Sequence, residues 1–364
     1  MASNSFGEIL RLTTFGESHN SAMGGVLDGV PAGIIINTLL IQKEVDRRRP
    51  GQSEFTTSRL ELDKVKILSG LHPDVDDQGC QKSLGSPIGF IVDNMDKKSS
   101  DYNSLNDVFR PSHADFTYQA KYGIRDHRGG GRSSARETIC RVIAGAIAKQ
   151  ILGDKININA YVERIAGIGI PKNAVFEISE ANQSPLLCPH RETSKSMEQK
   201  LRDLSNKGDT AGGVIACQIQ GVPAGWGEPV FDKLNARLAY GVIGINATKG
   251  IEFGSGFLGA ERIGSEENDS FESKDKTISN NSGGIQGGIS NGQDIFFRTA
   301  FKPVSSIKMN QKTINKNGDS VNIKIEGRHD PVVLPRAVPI IESMASLVLA
   351  DFYLFQHLQS IKQL

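Results

Sequence analysis

One segment constrains this chain more than any other: Arg125-Asp-His-Arg-Gly-Gly-Gly-Arg-Ser-Ser-Ala-Arg136, which runs directly into a long apolar stretch. Ile139, Val142, Ile143, Ala146, Ile147 and Ile151 recur at spacings of three and four, the period of one continuous helix face. Ser134 and Glu137 stand as S-x-x-E ahead of it, which predicts a capping box and a helix over 134–152. The start of such a helix presents unpaired N–H groups and the positive end of the helix dipole, a ready seat for an anion. Arg125, Arg128, Arg132 and Arg136 surround that start, and guanidinium forks match phosphate or carboxylate oxygens. A plain glycine turn before a capped surface helix is the competing explanation. Three consecutive glycines are costly in backbone entropy if they only make a turn, which favours the anion seat.

Two further helices are legible. Thr38 to Arg48 ends in basic residues just before Pro50, and another begins at Pro339, a good first helical residue, and runs through Ile340, Ile341, Met344, Leu347, Val348 and Phe352. Short β-like runs lie at Val65 to Leu68, Ile88 to Val92, Val214 to Ile219 and Ser320 to Ile325. Strands and helices mix without a βαβ rhythm, which predicts an α+β sandwich and not a doubly wound sheet. The 364 residues suit about two domains or one large one. Two polar stretches, 182–208 with a helix around Met197 to Leu204, and 264–282, read as mobile surface loops. Neither separates two halves of independent character, so 1–364 is expected to form a single large domain with surface loop insertions.

Composition narrows the function classes. Hydrophobic residues at 38% and charged residues at 23% describe an ordinary soluble globular chain. A formal net charge of +1 argues against a nucleic-acid partner. No run approaches 18 uninterrupted apolar residues, so no membrane span is expected. Glu8, Arg11 and Glu17 interrupt the first twenty residues, so no secretory signal is expected either. Cys80, Cys140, Cys188 and Cys217 form no C-x-x-C pair and read as reduced thiols of a cytoplasmic protein. The seven histidines include no H-x-x-x-H pair, so no metal site is expected. Gly254-Ser-Gly-Phe-Leu-Gly259 matches the dinucleotide fingerprint by letter, but the residues after it lack a helical apolar period.

Several loops pair histidine with other polar groups. Gly16-Glu-Ser-His-Asn20 carries Ser18 and His19, Phe109-Arg-Pro-Ser-His-Ala-Asp115 carries Arg110 and His113, and Gly327-Arg-His-Asp-Pro331 carries Arg328 and Asp330. Arg47-Arg-Arg-Pro-Gly51 adds a second basic cluster. Histidine is the natural general acid near neutral pH. Spacing and chemistry alone therefore describe an enzyme acting on a phosphorylated, acidic small molecule.

The order of the motifs goes further. Thr14-Phe-Gly-Glu-Ser-His19, Arg47-Arg-Arg-Pro-Gly51, Arg110-Pro-Ser-His-Ala-Asp115, Gly129-Gly-Gly-Arg-Ser-Ser-Ala-Arg-Glu137, Gly227-Glu-Pro-Val-Phe-Asp232, Asn246-Ala-Thr-Lys-Gly250, Ser282-Gly-Gly-Ile-Gln-Gly-Gly-Ile-Ser-Asn-Gly292, Phe301-Lys-Pro-Val-Ser-Ser306 and Gly327-Arg-His-Asp-Pro331 span nearly the whole chain. In that order they resemble the chorismate synthase family. The resemblance implies a β-α-β sandwich core, a homotetramer and a lyase that converts 5-enolpyruvylshikimate 3-phosphate to chorismate by 1,4-anti elimination of phosphate. It implies a need for reduced FMN without net redox change, with NADPH as a possible reductant. On this resemblance His19 protonates the departing phosphate, His113 protonates or polarises the flavin near N1 and O2, and Asp330, relayed through Ser18, handles the N5 proton. Arg48, Arg110, Arg132, Arg136 and Arg328 clamp the substrate's anionic groups. Flavin contacts fall to Arg132, Ser133, Ser134, Asn246, Ala247, Gly287, Lys302, Pro303, Val304, Ser305, Ser306 and Arg328.

Three positions depart from the family pattern. Asn20 follows the GESH string where glycine is usual, and asparagine tolerates a left-handed backbone there. Thr210 replaces a usual serine. Glu54 stands where related bacterial chains often carry an arginine that helps to bind a phosphorylated ligand. A carboxylate aimed at bound phosphate would be repelled, so Glu54 is expected to point away, either solvated or paired with Arg48 or Arg59. A non-catalytic flavin- or phosphate-binding relative is the alternative, and the presence of His19, His113 and Asp330 argues against it.

Overall fold

The computed structural model describes residues 3–57, 62–95, 105–274, 276–325 and 330–359. Its α-helices among these residues are α1 (Thr38–Arg48), α2 (Asp115–Tyr122), α3 (Thr138–Leu152), α4 (Arg191–Asn206), α5 (Leu234–Ile243), α6 (Gly264–Glu267) and α7 (Leu334–Gln359).

Two antiparallel five-stranded sheets enclose a helical layer. The first runs in the order Ser5–Phe6, Arg11–Gly16, Ala22–Asp28, Ile88–Asp93, Val65–Ile67. The second runs Thr248–Phe253, Ile295–Phe301, Gly213–Gln220, Asn157–Ile165, Ile168–Gly169. Helix α3 packs on the strands of the first sheet, α7 packs on Asn157–Ile165 and Gly213–Gln220, and the two helices pack on each other. One continuous core of buried side chains crosses all three layers. This is the expected α+β sandwich, with period-2 strands showing the reason: Ile295, Phe297 and Phe301 turn inward from one strand.

The helical layer corrects the expectation of a single apolar face on α3. Twelve of its residues, Thr138 and Cys140 among them, are buried, because a sheet covers one side and α7 the other. The crossing is close: a Cβ on Gly145 would lie 2.3 Å from the Ser343 Cβ. The capping box is also corrected. Ser134 Oγ accepts from the Arg136 N–H of a short 3₁₀ turn, Ala135–Glu137, and α3 starts only at Thr138. The Glu137 carboxylate turns instead to Thr14 Oγ1 and Arg141 Nε, both 3.0 Å away.

Helix α7 begins five residues before the predicted Pro339, which lies inside it. Pro335 is the proline in the first turn, where a missing N–H costs nothing. By length and composition the segment Leu334–Leu358 could cross a membrane, but 83% of its apolar window is buried inside the sandwich. The 182–208 stretch contains all of α4, longer than the predicted helix because His190 caps it, Nδ1 accepting from the Thr193 N–H at 3.3 Å. The 264–282 stretch holds α6 and the hairpin Phe271–Ser273/Lys276–Thr277. The Asp269 carboxylate gathers it, accepting from Ser279 Oγ, Ser282 Oγ and the Asn281 and Ser282 N–H groups. After Gly254 comes only a 3₁₀ turn, Gly256–Glu261, so the fingerprint there has no dinucleotide-binding helix.

Candidate active site

The glycine turn ahead of α3 opens onto a cavity of about 400 Å³. Gly129, Gly130 and Gly131 all have positive φ, at 63, 89 and 57°, a backbone that side chains rarely adopt. A Cβ on Gly129 would lie 2.2 Å from His19 Cε1 and 2.6 Å from His19 Nδ1. A Cβ on Gly130 would lie 3.3 Å from His113 Cε1. Neighbouring glycines therefore seat the two histidines that the sequence singles out, and both histidines line the cavity.

His19 follows the strand Arg11–Gly16, with its Nδ1 3.1 Å from Ser18 Oγ. Asn20 is not left-handed. Its N–H closes a turn onto the Glu17 carbonyl at 3.2 Å, so this loop does not need the family's glycine. His113 Nδ1 lies 3.0 Å from Asp115 Oδ1. The carboxylate can only accept, so Nδ1 carries the proton and Nε2 is left for chemistry. Asp115 also accepts from the Arg110 N–H at 3.1 Å, Arg110 Nε at 2.7 Å and Arg125 Nη1 at 3.3 Å. Burial opposes its charged form, but hydrogen bonds from Arg110 and His113 and the charges of both outweigh burial. They hold the carboxyl well below the usual carboxylate range.

The cavity's cations come from separate elements. Arg48 ends α1, Arg110 precedes α2, Arg136 sits in the 3₁₀ turn and Arg336 in the first turn of α7. Each has a carboxylate behind it. Arg48 and Arg136 share Asp63, at 3.4 and 3.0 Å, Arg110 has Asp115, and Arg336 Nη1 donates to Asp330 at 2.7 Å. Asp330 also accepts from the Thr57 N–H at 2.6 Å. Ser18 and Asp330 both line the cavity, but each is engaged elsewhere, so no direct bond supports the expected relay.

Other expected residues divide. Ser133, Ser134, Asn246, Ala247, Lys302, Pro303, Val304, Ser305 and Ser306 all line the cavity. Their loops are tied together by Asn246 Nδ2 donating to the Ser133 carbonyl at 2.9 Å, the Lys302 N–H to the Ala247 carbonyl at 2.9 Å, and Thr210 Oγ1 to the Val304 carbonyl at 2.8 Å. Thr210 thus keeps the hydroxyl of the usual serine. Burial, with help from the Lys249 charge, lowers the Lys302 ammonium below its ordinary value.

Only one of the four arginines around the glycine turn reaches the cavity with its side chain. Arg132 reaches back to Thr14 Oγ1 at 2.7 Å and the Gly16 carbonyl at 3.1 Å. Arg125 goes to Asp115, and Arg128 pairs with Asp126. In the Arg47–Arg49 cluster only Arg48 lines the cavity; Arg47 pairs with the buried Glu342 of α7. Gly287 turns a hairpin between Ile285–Gln286 and Ile289–Ser290 and is not part of the lining. Arg328, and Arg59 as a partner for Glu54, lie outside the described residues. Glu54 pairs with Arg202 of α4 at 2.7 Å, away from the cavity, and not with Arg48 as one expectation had it.

The profile of the family "Chorismate synthase" matches residues 10–354. The chain belongs to the chorismate synthase family. Chorismate synthase of Christiangramia forsetii is 53% identical over 355 residues, covering 97% of this chain and 98% of that protein. Chorismate synthase of Bacteroides fragilis is 52% identical over 363 residues, covering 98% and 99%. A crystal structure of chorismate synthase superposes with a TM-score of 0.74 at 29% identity, covering 96% of this chain and 93% of that one. The chorismate synthase strings thus lie on matching architecture. Sequence inspection missed Asp63, Thr57 and Arg336 as parts of the site. Asp63 has one visible trace, a charged residue just before a strand, but its left-handed backbone, φ 44°, shows only in the structure.

Proposed function

We propose that this lyase binds reduced FMN beside 5-enolpyruvylshikimate 3-phosphate and eliminates phosphate in the 1,4-anti sense, giving chorismate. The observation that carries this reading is the pair His19 and His113 on adjacent glycines, in one cavity with Arg48, Arg110, Arg136 and Arg336. Fixed guanidiniums aimed at phosphate and carboxylates bind the substrate and stabilise charge as it develops on the leaving group. His19 donates a proton to the departing phosphate. His113, whose Nδ1 proton is committed to Asp115, presents Nε2 to the cofactor. Asp330, fixed by Thr57 and Arg336, is the acceptor for the proton that the substrate gives up.

The donor set also fits the cofactor. The hydroxyls of Ser133, Ser134, Ser305 and Ser306, the Lys302 ammonium and the main chain of Asn246 and Ala247 suit a phosphorylated, carbonyl-rich ring system. Bound reduced flavin supplies electron density transiently, with no net redox change. We further propose a cytoplasmic homotetramer, with NADPH as the reductant if the chain reduces its own flavin. That Gly287 lies outside its own chain's cavity lining accords with a pocket finished by a neighbouring copy.

Titration of reduced FMN under argon tests the cofactor site. Gly130→Val, which forces a β-branched residue to φ 89° beside His113, weakens flavin binding while the fold persists. An unchanged titration would remove the glycine turn from the cofactor site. Light scattering tests the assembly, and an active monomer would refute the tetramer.

A further inference from the structure

The cavity's cationic wall has a hub that does not itself line it. Asp63 sits behind the wall with a fully buried side chain. Its Oδ1 accepts from Arg136 Nη1 at 3.0 Å, and its Oδ2 faces Arg48 Nη1 at 3.4 Å. Those two guanidiniums come from elements 88 positions apart in the chain, the end of α1 and the 3₁₀ turn before α3. One carboxylate thus meets guanidiniums from both elements.

The backbone around Asp63 is built to hold that carboxylate. Its φ of 44° is uncommon for any residue but glycine, and aspartate is among those that tolerate it. Such strain persists only where its surroundings over-determine it. Gln42 of α1 supplies the restraint: its Nε2 donates to the Asp63 carbonyl at 3.2 Å and its Oε1 accepts from the Val65 N–H at 3.0 Å. The segment bearing Asp63 is therefore clamped to the same helix that carries Arg48. Asn94 completes the frame by accepting from Arg136 Nε. The Arg48 carbonyl accepts from Arg336 Nε at 3.2 Å, which extends the frame to Asp330.

We propose that Asp63 is the positioning residue for Arg48 and Arg136. It fixes the direction of both guanidiniums and takes up part of their charge, so that the substrate's anionic groups are held in register for elimination and not merely attracted. This rests on the elimination assigned to the cavity above. Without the carboxylate the wall is more positive and less ordered. Anions should then bind more tightly while reacting more slowly, a split that general destabilisation does not produce.

The test is Asp63→Asn in the full chain, an isosteric change that asparagine's tolerance of left-handed backbone accommodates. Anaerobic kinetics should show kcat down about 10–100-fold, as expected for misoriented binding groups, with KM unchanged or lower. Inorganic phosphate, titrated calorimetrically into the flavin-free protein at low salt, should bind Asp63→Asn more tightly than wild type. Phosphate affinity equal to or weaker than wild type, or KM raised at unchanged kcat, would overturn the proposal. The phosphate titration does not depend on turnover, so a wild-type chain without activity would count against the elimination reading alone. If Asp63→Asn does not fold, Arg136→Gln with and without Asp63→Asn replaces it, since the double variant relieves the unbalanced charge. Asp63→Asn should then still tighten phosphate binding and lower kcat further, through Arg48. Phosphate bound no more tightly, or kcat unchanged, in the double variant relative to Arg136→Gln alone would overturn the proposal.

Discussion

Gly129→Ala separates the chemical role of the glycine turn from its backbone role. All three glycines have positive φ, so alanine at any of them meets a similar backbone penalty of about 1–2 kcal/mol. Their surroundings differ. The new Cβ at 129 would lie 2.2 Å from His19 Cε1, whereas at 131 its nearest neighbour is Glu17 Cγ at 4.0 Å. Carbon atoms rest at about 3.5–4.0 Å, so the His19 ring must retreat by more than about 1 Å. A misplacement of about 1 Å can cost on the order of 10²-fold in rate. Gly129→Ala should therefore lower kcat by about 10²-fold or more, and Gly131→Ala by less than about threefold, with similar melting temperatures. Anaerobic steady-state kinetics with reduced FMN reads the first difference and a thermal melt the second. Equal kcat values in the two variants would refute the idea that Gly129 is glycine for the sake of His19.

Three further outcomes follow from the same geometry. His19→Ala and His113→Ala should each lower kcat by roughly 10²–10⁴-fold, the usual loss of a general acid, while flavin and substrate still bind in equilibrium titrations; near-normal turnover in both would remove the assigned roles. Asp115→Asn leaves Arg110 and Arg125, each 3% exposed, without their buried carboxylate, and should cost about 3–5 kcal/mol in chemical denaturation at pH 7. Because folding lowers the Asp115 pKa, its stabilisation is complete above the unfolded value of about 3.9 and fades as pH falls below it, so the gap between variant and wild type should narrow only in acid; a gap independent of pH down to strong acid would contradict this. Glu54→Arg breaks an exposed, solvent-screened pair with Arg202 and should shift KM less than about threefold with kcat unchanged; a collapse of kcat would place Glu54 in the site.

Local signals were the readable part of this chain. The 3.6-residue period marked α3 and the basic end before Pro50 marked α1 to within a few residues, and short β-like runs marked Ile88–Asp93 and Gly213–Gln220. The GESH, RPSHAD and GGGRSSARE strings carried both histidines and two of the cavity's arginines, Arg110 and Arg136, to one place. What stayed hidden depends on distant partners. Glu54 meets Arg202 148 positions away, and nothing near residue 54 encodes that pairing. The glycine-turn arginines looked alike in sequence, yet Arg128 and Arg125 were taken by nearby carboxylates and Arg132 by the strand Arg11–Gly16. Proline misled at α7, because Pro335 and Pro339 both suit a helix start and only packing against the second sheet shows which one begins it. The left-handed backbones of Asp63, Ser112 and Ala247 leave no compositional mark, since none is glycine or asparagine.

Reduced flavin should assist phosphate elimination in this cavity without being consumed. The most direct measurement is anaerobic turnover of 5-enolpyruvylshikimate 3-phosphate by the purified chain with chemically reduced FMN, following chorismate, inorganic phosphate and flavin absorbance together. One phosphate should appear per chorismate over many turnovers, the flavin should be recovered fully reduced, and oxidised FMN should give no product. Product formed at the same rate without flavin, or flavin oxidised in step with product, would contradict the account.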